Sequence, residues 1–374
     1  MSTETGQFIL RPSDIDALVY GASFLGSGGG GDPYIGRLIL KQEMEAKPAL
    51  QVIDPSAVPD DANIIGIGAV GAPSVLIERL PNIDSFMYAL ERVERHSGRK
   101  IDAIVPIEAG GLNATLPLAV ALRSGLPVID ADGMGRAFPE TQMMTFSIHG
   151  YVAAPLYLVD DYGDCAIIET KDNAKTDRWI RPLIDAMGGA AMAAAYPLSG
   201  AMLKAAAVRN TISTQLDIGR TVYAAKRKKR NPVKALIRHF RDHRDQPRFA
   251  AKLFTGKVFD PDIRIDGAFN IGEIRIADMR NPDDVCRIAV KNENLIARRR
   301  GRVLAVVPDI ITVVDADDAE PITTENLKFG QRVNVIALAA PDVLRTPNAL
   351  AVLGPRAFKL KYDYTPLEEL HGSK

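Results

Sequence analysis

Three short stretches set acids and small residues in an order that chemistry can use. They are Glu108-Ala109-Gly110-Gly111-Leu112-Asn113, Asp130-Ala131-Asp132-Gly133-Met134-Gly135-Arg136 and, just beyond, Phe138-Pro139-Glu140. The first two stretches end apolar runs that read as strands, and in an open α/β sheet ligands bind beyond the carboxyl ends of the strands. Glu108, Asp130, Asp132 and Glu140 are therefore expected to face one crevice together with Arg136, with Asn113 capping the helix that follows. Crowded carboxylates raise one another's pKa, which suits general acid–base work on a neutral polar substrate. The same oxygens could hold a divalent metal, so a metal stays open. Any one of these acids has a plainer reading as a helix cap or surface ion pair. Their joint placement is what argues for a site.

A second candidate is the run Gly26-Ser27-Gly28-Gly29-Gly30-Gly31, followed by Asp32-Pro33. It satisfies G-x-G-x-x-G in form, but a helical pattern precedes it where the dinucleotide fingerprint needs a strand. No Gly-Lys-Ser/Thr follows, and Asp32 would oppose a phosphate, so a P-loop fails as well. What remains is a loop of backbone N–H groups at a helix N-terminus, suited to a carboxylate, an oxyanion or a polar heterocycle. The plainer alternative is a tight helix–helix turn capped by Asp32. Four glycines in a row, Gly28 to Gly31, exceed what such a turn needs. Gly66 to Ser74 is a further flexible loop at a strand end.

Other nucleophiles and ligands are weaker. Cys165 and Cys286 read as ordinary packed thiols, His149 as structural, and no G-x-S-x-G elbow is present. His239 and His243 have the i, i+4 spacing of two metal ligands on a helix, but the glutamate of H-E-x-x-H is missing and arginines flank both. The basic run Lys226 to Arg230, within the segment reaching Arg244, lacks interleaved aromatics for base stacking. It reads as a solvated loop, and nucleic acid is not expected.

The elements that would hold these residues follow from periodicity. Residues 13–25 and the stretch after Pro33 have helical spacing, so the opening is helix, glycine loop, helix. From residue 63 to about 132 short apolar strands alternate with helices, the signature of a parallel sheet, and residues 155–170 read as two strands at its edge. The Ala-, Gly- and Met-rich stretch 175–225 reads as helices of the same domain. Beyond about residue 256 short β segments with Gly, Asn and Asp turns argue for a compact barrel or sandwich. The division is thus residues 1–255, an α/β domain with the glycine loop and acidic rim, and 256–374, a β-rich barrel-like domain. The chain of 374 residues is 47% hydrophobic and 25% charged with zero net charge, the mix of a soluble protein without a global field for nucleic acid or membrane. Its start lacks a signal-peptide pattern, and no apolar run approaches the roughly 20 residues that span a bilayer. The cytoplasm is the expected compartment.

The stretches "GASFLGSGGGGDPYIGRL", "IEAGGLNA", "VIDADGMGRAFPE", "KNENLIARRRGRVLAVVPDIITVVDAD", "ITTENLKFGQRVNVIALAAP" and "VLGPRAF" together resemble the family once known only as domain of unknown function 917. That family is now named for S-methyl thiohydantoin desulfurase and is often found beside or fused to hydantoinase/oxoprolinase-type proteins. The likeness spans nearly the whole chain. It implies a three-layer α/β domain carrying a smaller β-barrel-like domain, and hydrolysis of an S-methyl thiohydantoin or hydantoin-like five-membered ring. Water would add at the S-methyl carbon and methanethiol would leave. Glu108, Asp130 or Asp132 would serve as base, a second acid such as Glu140 as proton donor, and Arg136 with the loop amides as charge stabilisers. Gly28, Gly29, Gly30, Gly31, Asp32, Gly110, Asn113 and Gly133 would bind the ring. The resemblance also brings the alternative of a non-catalytic accessory subunit for a hydantoinase/oxoprolinase-type partner, in a homo-oligomeric assembly.

Overall fold

The structure, a computed structural model, describes residues 6–71, 73–79, 81–243, 246–266 and 269–372. Ala72 and Arg244, at the end of the basic segment, lie outside the described residues, and the expected flexible loop Gly66 to Ser74 is instead strand as far as Gly71 and helix from Pro73. In chain order the strands before residue 210 are β1 (Gln7–Leu10), β2 (Leu50–Ile53), β3 (Asn63–Gly71), β4 (Ala103–Pro106), β5 (Val128–Ile129), β6 (Ala131–Asp132), β7 (Leu156–Val159), β8 (Cys165–Ile168), β9 (Ala190–Ser199) and β10 (Val208–Arg209). The helices are α1 (Ile15–Leu25), α2 (Pro33–Ala46), α3 (Pro73–Glu78), α4 (Ile83–Ser97), α5 (Gly111–Ser124), α6 (Thr145–Ile148), α7 (Asn173–Ala186), α8 (Gly200–Ala206), α9 (Thr211–Arg227) and α10 (Pro232–Arg241).

An eight-stranded sheet runs in the order β1-β2-β5-β4-β3-β9-β7-β8. Parallel pairing joins β2, β5, β4 and β3 at its centre, and antiparallel strands close both edges. Alternating side chains go to opposite faces. Ile65 and Ile104 meet α1, α2, α4 and α5 on one side, while Ile64, Ala103 and Val105 meet α7 and α8 on the other. Helix, sheet and helix make the three layers. The remaining strands, β11 (Ala250–Asp266), β12 (Phe269–Ala277), β13 (Val285–Lys291), β14 (Glu293–Arg299), β15 (Arg302–Val306), β16 (Ile310–Asp315) and β17 (Arg332–Leu338), form a curled seven-stranded antiparallel sheet. Among the described residues no helix is long and apolar enough to cross a membrane.

Two expectations are corrected. Residues 190–199 are strand β9, not helix. Alanine's helix propensity is a weak prior. Pairing with β3 along most of β9's length and with β7 over Met192 to Ala194 overrides that prior. The basic segment is only partly the solvated stretch expected: Arg227 to Arg230 are exposed, with Lys228 to Arg230 in the turn after α9, but the residues beyond are not a loop. It forms the end of α9 and α10, whose Val233, Leu236 and Phe240 are buried against Tyr20, Phe24, Ile310 and Leu338. Lys226 pairs with Glu320 at 2.6 Å, so this cation holds the β domain.

The curled sheet docks on the α/β domain through the glycine loop. The Asn294 amide donates to the Ser27 carbonyl at 2.8 Å, and the Thr324 amide to the Gly28 carbonyl at 2.9 Å. Ser27 Oγ accepts from the Ile311 amide at 3.0 Å. Arg136 completes the joint. Fully buried, its guanidinium donates to the carbonyls of Asp309 (2.8 Å), Asn294 (3.1 Å) and its neighbour Ala137 (3.1 Å). Removing it leaves buried carbonyls unpaired, each costing about 1–3 kcal/mol. Arg136→Met is therefore expected to lower unfolding free energy by about 3 kcal/mol or more, measured by chemical denaturation. A loss below about 1 kcal/mol would show that the clamp does not hold the halves together.

Candidate active site

Glu108 follows β4 at the mouth of a tight turn and is buried. Asn113 does not cap α5 as expected. The helix starts at Gly111 with Gly110 as its N-cap, and the Gly30 carbonyl receives the Leu112 amide at 2.8 Å. Asn113 is instead one turn inside and holds Glu108. Its Nδ2 donates to Glu108 Oε1 (2.7 Å) and to the Ala69 carbonyl (2.9 Å), while its Oδ1 accepts the Ala69 amide (2.7 Å). One side chain thus fixes both β3 and the carboxylate.

Opposite stands an acid that sequence reasoning missed. Glu293 opens β14, one residue after Asn292, which turns the β13–β14 hairpin in a left-handed conformation with φ 59°. The hairpin tip enters the joint: Lys291 pairs with Glu140, Glu293 is buried against Gly29, and Asn294 Nδ2 reaches the Ile311 carbonyl at 2.8 Å. A Cβ on Gly29 would collide with Glu293 Oε1, and one on Gly30 would lie 2.6 Å from the Gly110 carbonyl carbon. Glycine is required at both positions by close approach. The only sequence signal for Glu293 was its place in the quoted stretch "KNENL".

Glu108 and Glu293 line one cavity of about 100 Å³, together with Gly30, Gly31, Asn113, Phe138 and Glu140. It suits a small ring and not a dinucleotide. Glu293 Oε2 is buried with no hydrogen-bond partner among the described residues. The amides of Gly30 and Gly31 donate to no described residue. An unpartnered carboxylate oxygen and free donors around a cavity are costly unless a ligand meets them.

The structure places the other expected residues elsewhere. Asp132 is fully buried and spends its carboxylate on the amides of Met134 (2.9 Å) and Gly135 (2.8 Å), shaping the turn below the cavity. Gly133 supports the same turn, its amide donating to the Ile107 carbonyl at 3.2 Å. Asp130 accepts from the amides of Ile212 and Ser213 at the start of α9 and faces a different cavity. Asp32 caps α2, accepting the Tyr34 amide at 2.8 Å. Gly28 lies under Asn294, Gly110 under Gly26, and Arg136 in the joint already described. Among the described residues no three of the rim acids converge closely enough to share a cation.

Burial sets the electrostatics. It pushes the Glu108 carboxyl up to about 7, against the pull of Asn113, the Phe138 amide and Arg136. Glu293 is raised well above its ordinary value, by burial first and then by Glu108, against the pull of Arg136. Asp132 rises to about 8 through burial, opposed by its amides. Both carboxyls are thus raised in one cavity, so the two can hold a proton near neutral pH, which acid–base catalysis can use.

A mixed α/β domain with a curled β domain pressed onto its strand ends, and two acids in the cavity between, defines the architectural class. The chain belongs to the S-Me-THD-like family, whose N-terminal domain matches residues 13–170 and whose C-terminal domain matches residues 171–367. The family's division falls between β8 and β9, inside the eight-stranded sheet. The fold is similar to that of a protein from Chromobacterium violaceum known by X-ray crystallography, with TM-score 0.80 and 26% identity over 96% of this chain and 100% of that one. Among curated proteins none matches the chain.

The buried acids should be visible in stability. A carboxyl held at about 7 in the fold and near 4.5 when unfolded binds its proton more tightly in the folded state. Stability from this group is therefore present at low pH and is lost as pH rises through about 7. Glu108→Gln is expected to be the more stable protein at pH 8 by about 1–3 kcal/mol and to converge with the parent in acid. Identical pH slopes in thermal melts would contradict this. Gly29→Ala is expected to cost about 1–3 kcal/mol through overpacking. In a double-mutant cycle with Glu293→Ala most of that cost should vanish; full additivity would mean the two residues do not meet.

Proposed function

We propose that the protein is a hydrolase of small five-membered heterocycles, and that an S-methyl thiohydantoin is converted in the Glu108–Glu293 cavity to a hydantoin and methanethiol. Membership of the S-Me-THD-like family supports the substrate class. The observation that carries the reading is the pair itself, two buried carboxyls with raised pKa lining one small cavity beside unpartnered loop amides. The expected roles of Asp130 and Asp132 as bases pass to Glu108, because amides and Ser213 engage the other two.

The steps balance on these two groups. Ionised Glu108 takes a proton from water as the water oxygen bonds to the ring carbon bearing the S-methyl group. Protonated Glu293 gives its proton to the ring nitrogen, so no full charge develops on the ring. The adduct then collapses with cleavage of the C–S bond, the electron pair leaving on sulfur. Glu108 returns its proton to the thiolate, the new hydroxyl gives its proton to Glu293, and both carboxyls regain their starting states. The Gly30 and Gly31 amides support negative charge on the ring carbonyl oxygen, a role usually worth several kcal/mol. A hydantoinase/oxoprolinase-type protein would be a fitting consumer of the hydantoin.

Methanethiol release from an S-methyl thiohydantoin tests this. Turnover is expected to fall about 100-fold or more in Glu108→Gln and in Glu293→Gln, with the acid limb of the parent's pH profile near 7. Asp130→Asn should retain most of the activity. No release by the parent protein would overturn the reading and favour an accessory subunit.

A further inference from the structure

His239 and His243, disfavoured as ligands because the H-E-x-x-H glutamate is missing and arginines flank both, gain a third donor from a different helix. Asp217 of α9 lies against His239 near the end of α10 and against His243 just after it. One ligand atom from each lies within 4.8 Å of the other two, and among the described residues no other three His, Cys, Asp or Glu side chains converge in this way. Atoms bound at roughly 2.0–2.2 Å to a common tetrahedral ion stand about 3.3–3.6 Å apart, so binding closes the three side chains in by about 1 Å through rotation. His243 Nε2 is already 3.9 Å from Asp217 Oδ2. The two imidazoles meet edge to face with centroids 5.4 Å apart.

The three side chains border a cavity of about 230 Å³ that also takes in Asp54, Asp130, Asn210 and Ser213. It shares no lining residue with the Glu108 cavity. Two imidazoles and one carboxylate that leave coordination positions facing a cavity are the donor set of reactive zinc and iron centres, whereas structural zinc sites are closed by four ligands. We propose that Asp217, His239 and His243 bind one divalent transition-metal ion, with open coordination positions directed into this second cavity. The Gln246 amide donates to His243 Nδ1 at 3.1 Å, which puts the ring proton on Nε2.

The test uses untagged, chelator-stripped full-length protein titrated with Co²⁺, read by visible absorption, and with Zn²⁺, read by calorimetry. One ion per chain is expected, weakened at least about 100-fold in His239→Ala and in Asp217→Ala. Glu108→Gln should bind as the parent does, separating this site from the first cavity. Circular dichroism melts identify a variant that fails to fold, and the other variant then decides. Absence of stoichiometric binding, or binding that survives substitution in a folded variant, would overturn the proposal.

Discussion

The contact on which the rest depends is the close approach of the glycine loop to strand β14. Backbone hydrogen bonds from Asn294 to Ser27 and from Thr324 to Gly28 bring the two sheets together. The absence of a side chain at Gly29 then leaves the space that Glu293 occupies. Any larger residue would separate the domains or expel the acid. The loop is therefore less a free cradle of amides than a gasket. Part of it seals the joint, and part, Gly30 and Gly31, faces the cavity.

That joint explains why carboxyls can be buried at all. Taking an ionised carboxylate out of water is expensive, and proteins avoid it by pairing the charge or letting the group keep its proton. Asp132 is compensated by amides, Asp309 by Arg345, Tyr364 and the Ala340 amide. Glu293 has no such partner for Oε2 among the described residues. Burial pushes its carboxyl upward instead, against the pull of the buried Arg136, and the docked β domain keeps it out of water. A strained pair of this kind is where acid–base function is most often found.

Much of the scaffold was legible in the sequence because it rests on short-range signals. The alternation of apolar runs and helices gave the parallel core, Asp32-Pro33 marked the start of α2, and the two runs around Asp160–Asp164 became the β7–β8 edge hairpin. β9 was not legible, because its alanines favour helix locally and only its long-range pairing with β3 and β7 makes them strand. The site was half legible. Glu108 and Asn113 follow a strand end, as expected, but Glu293 comes from a hairpin 185 positions later and nothing local marks it. The same limit hid Asp217 from the two histidines. Asp130, three strand-end positions from Gly133, looked equivalent to Glu108, yet the chain bends between β5 and β6 and sends it to the opposite cavity.

The most direct test of the paired-acid cavity is a crystal structure with hydantoin bound. The ring is expected between Glu108 and Glu293, its nitrogen within hydrogen-bonding distance of Glu293 and its carbonyl oxygen on the Gly30–Gly31 amides. A ring bound in any other place, or an undisturbed cavity at saturating hydantoin, would contradict the assignment of this cavity as the site of reaction.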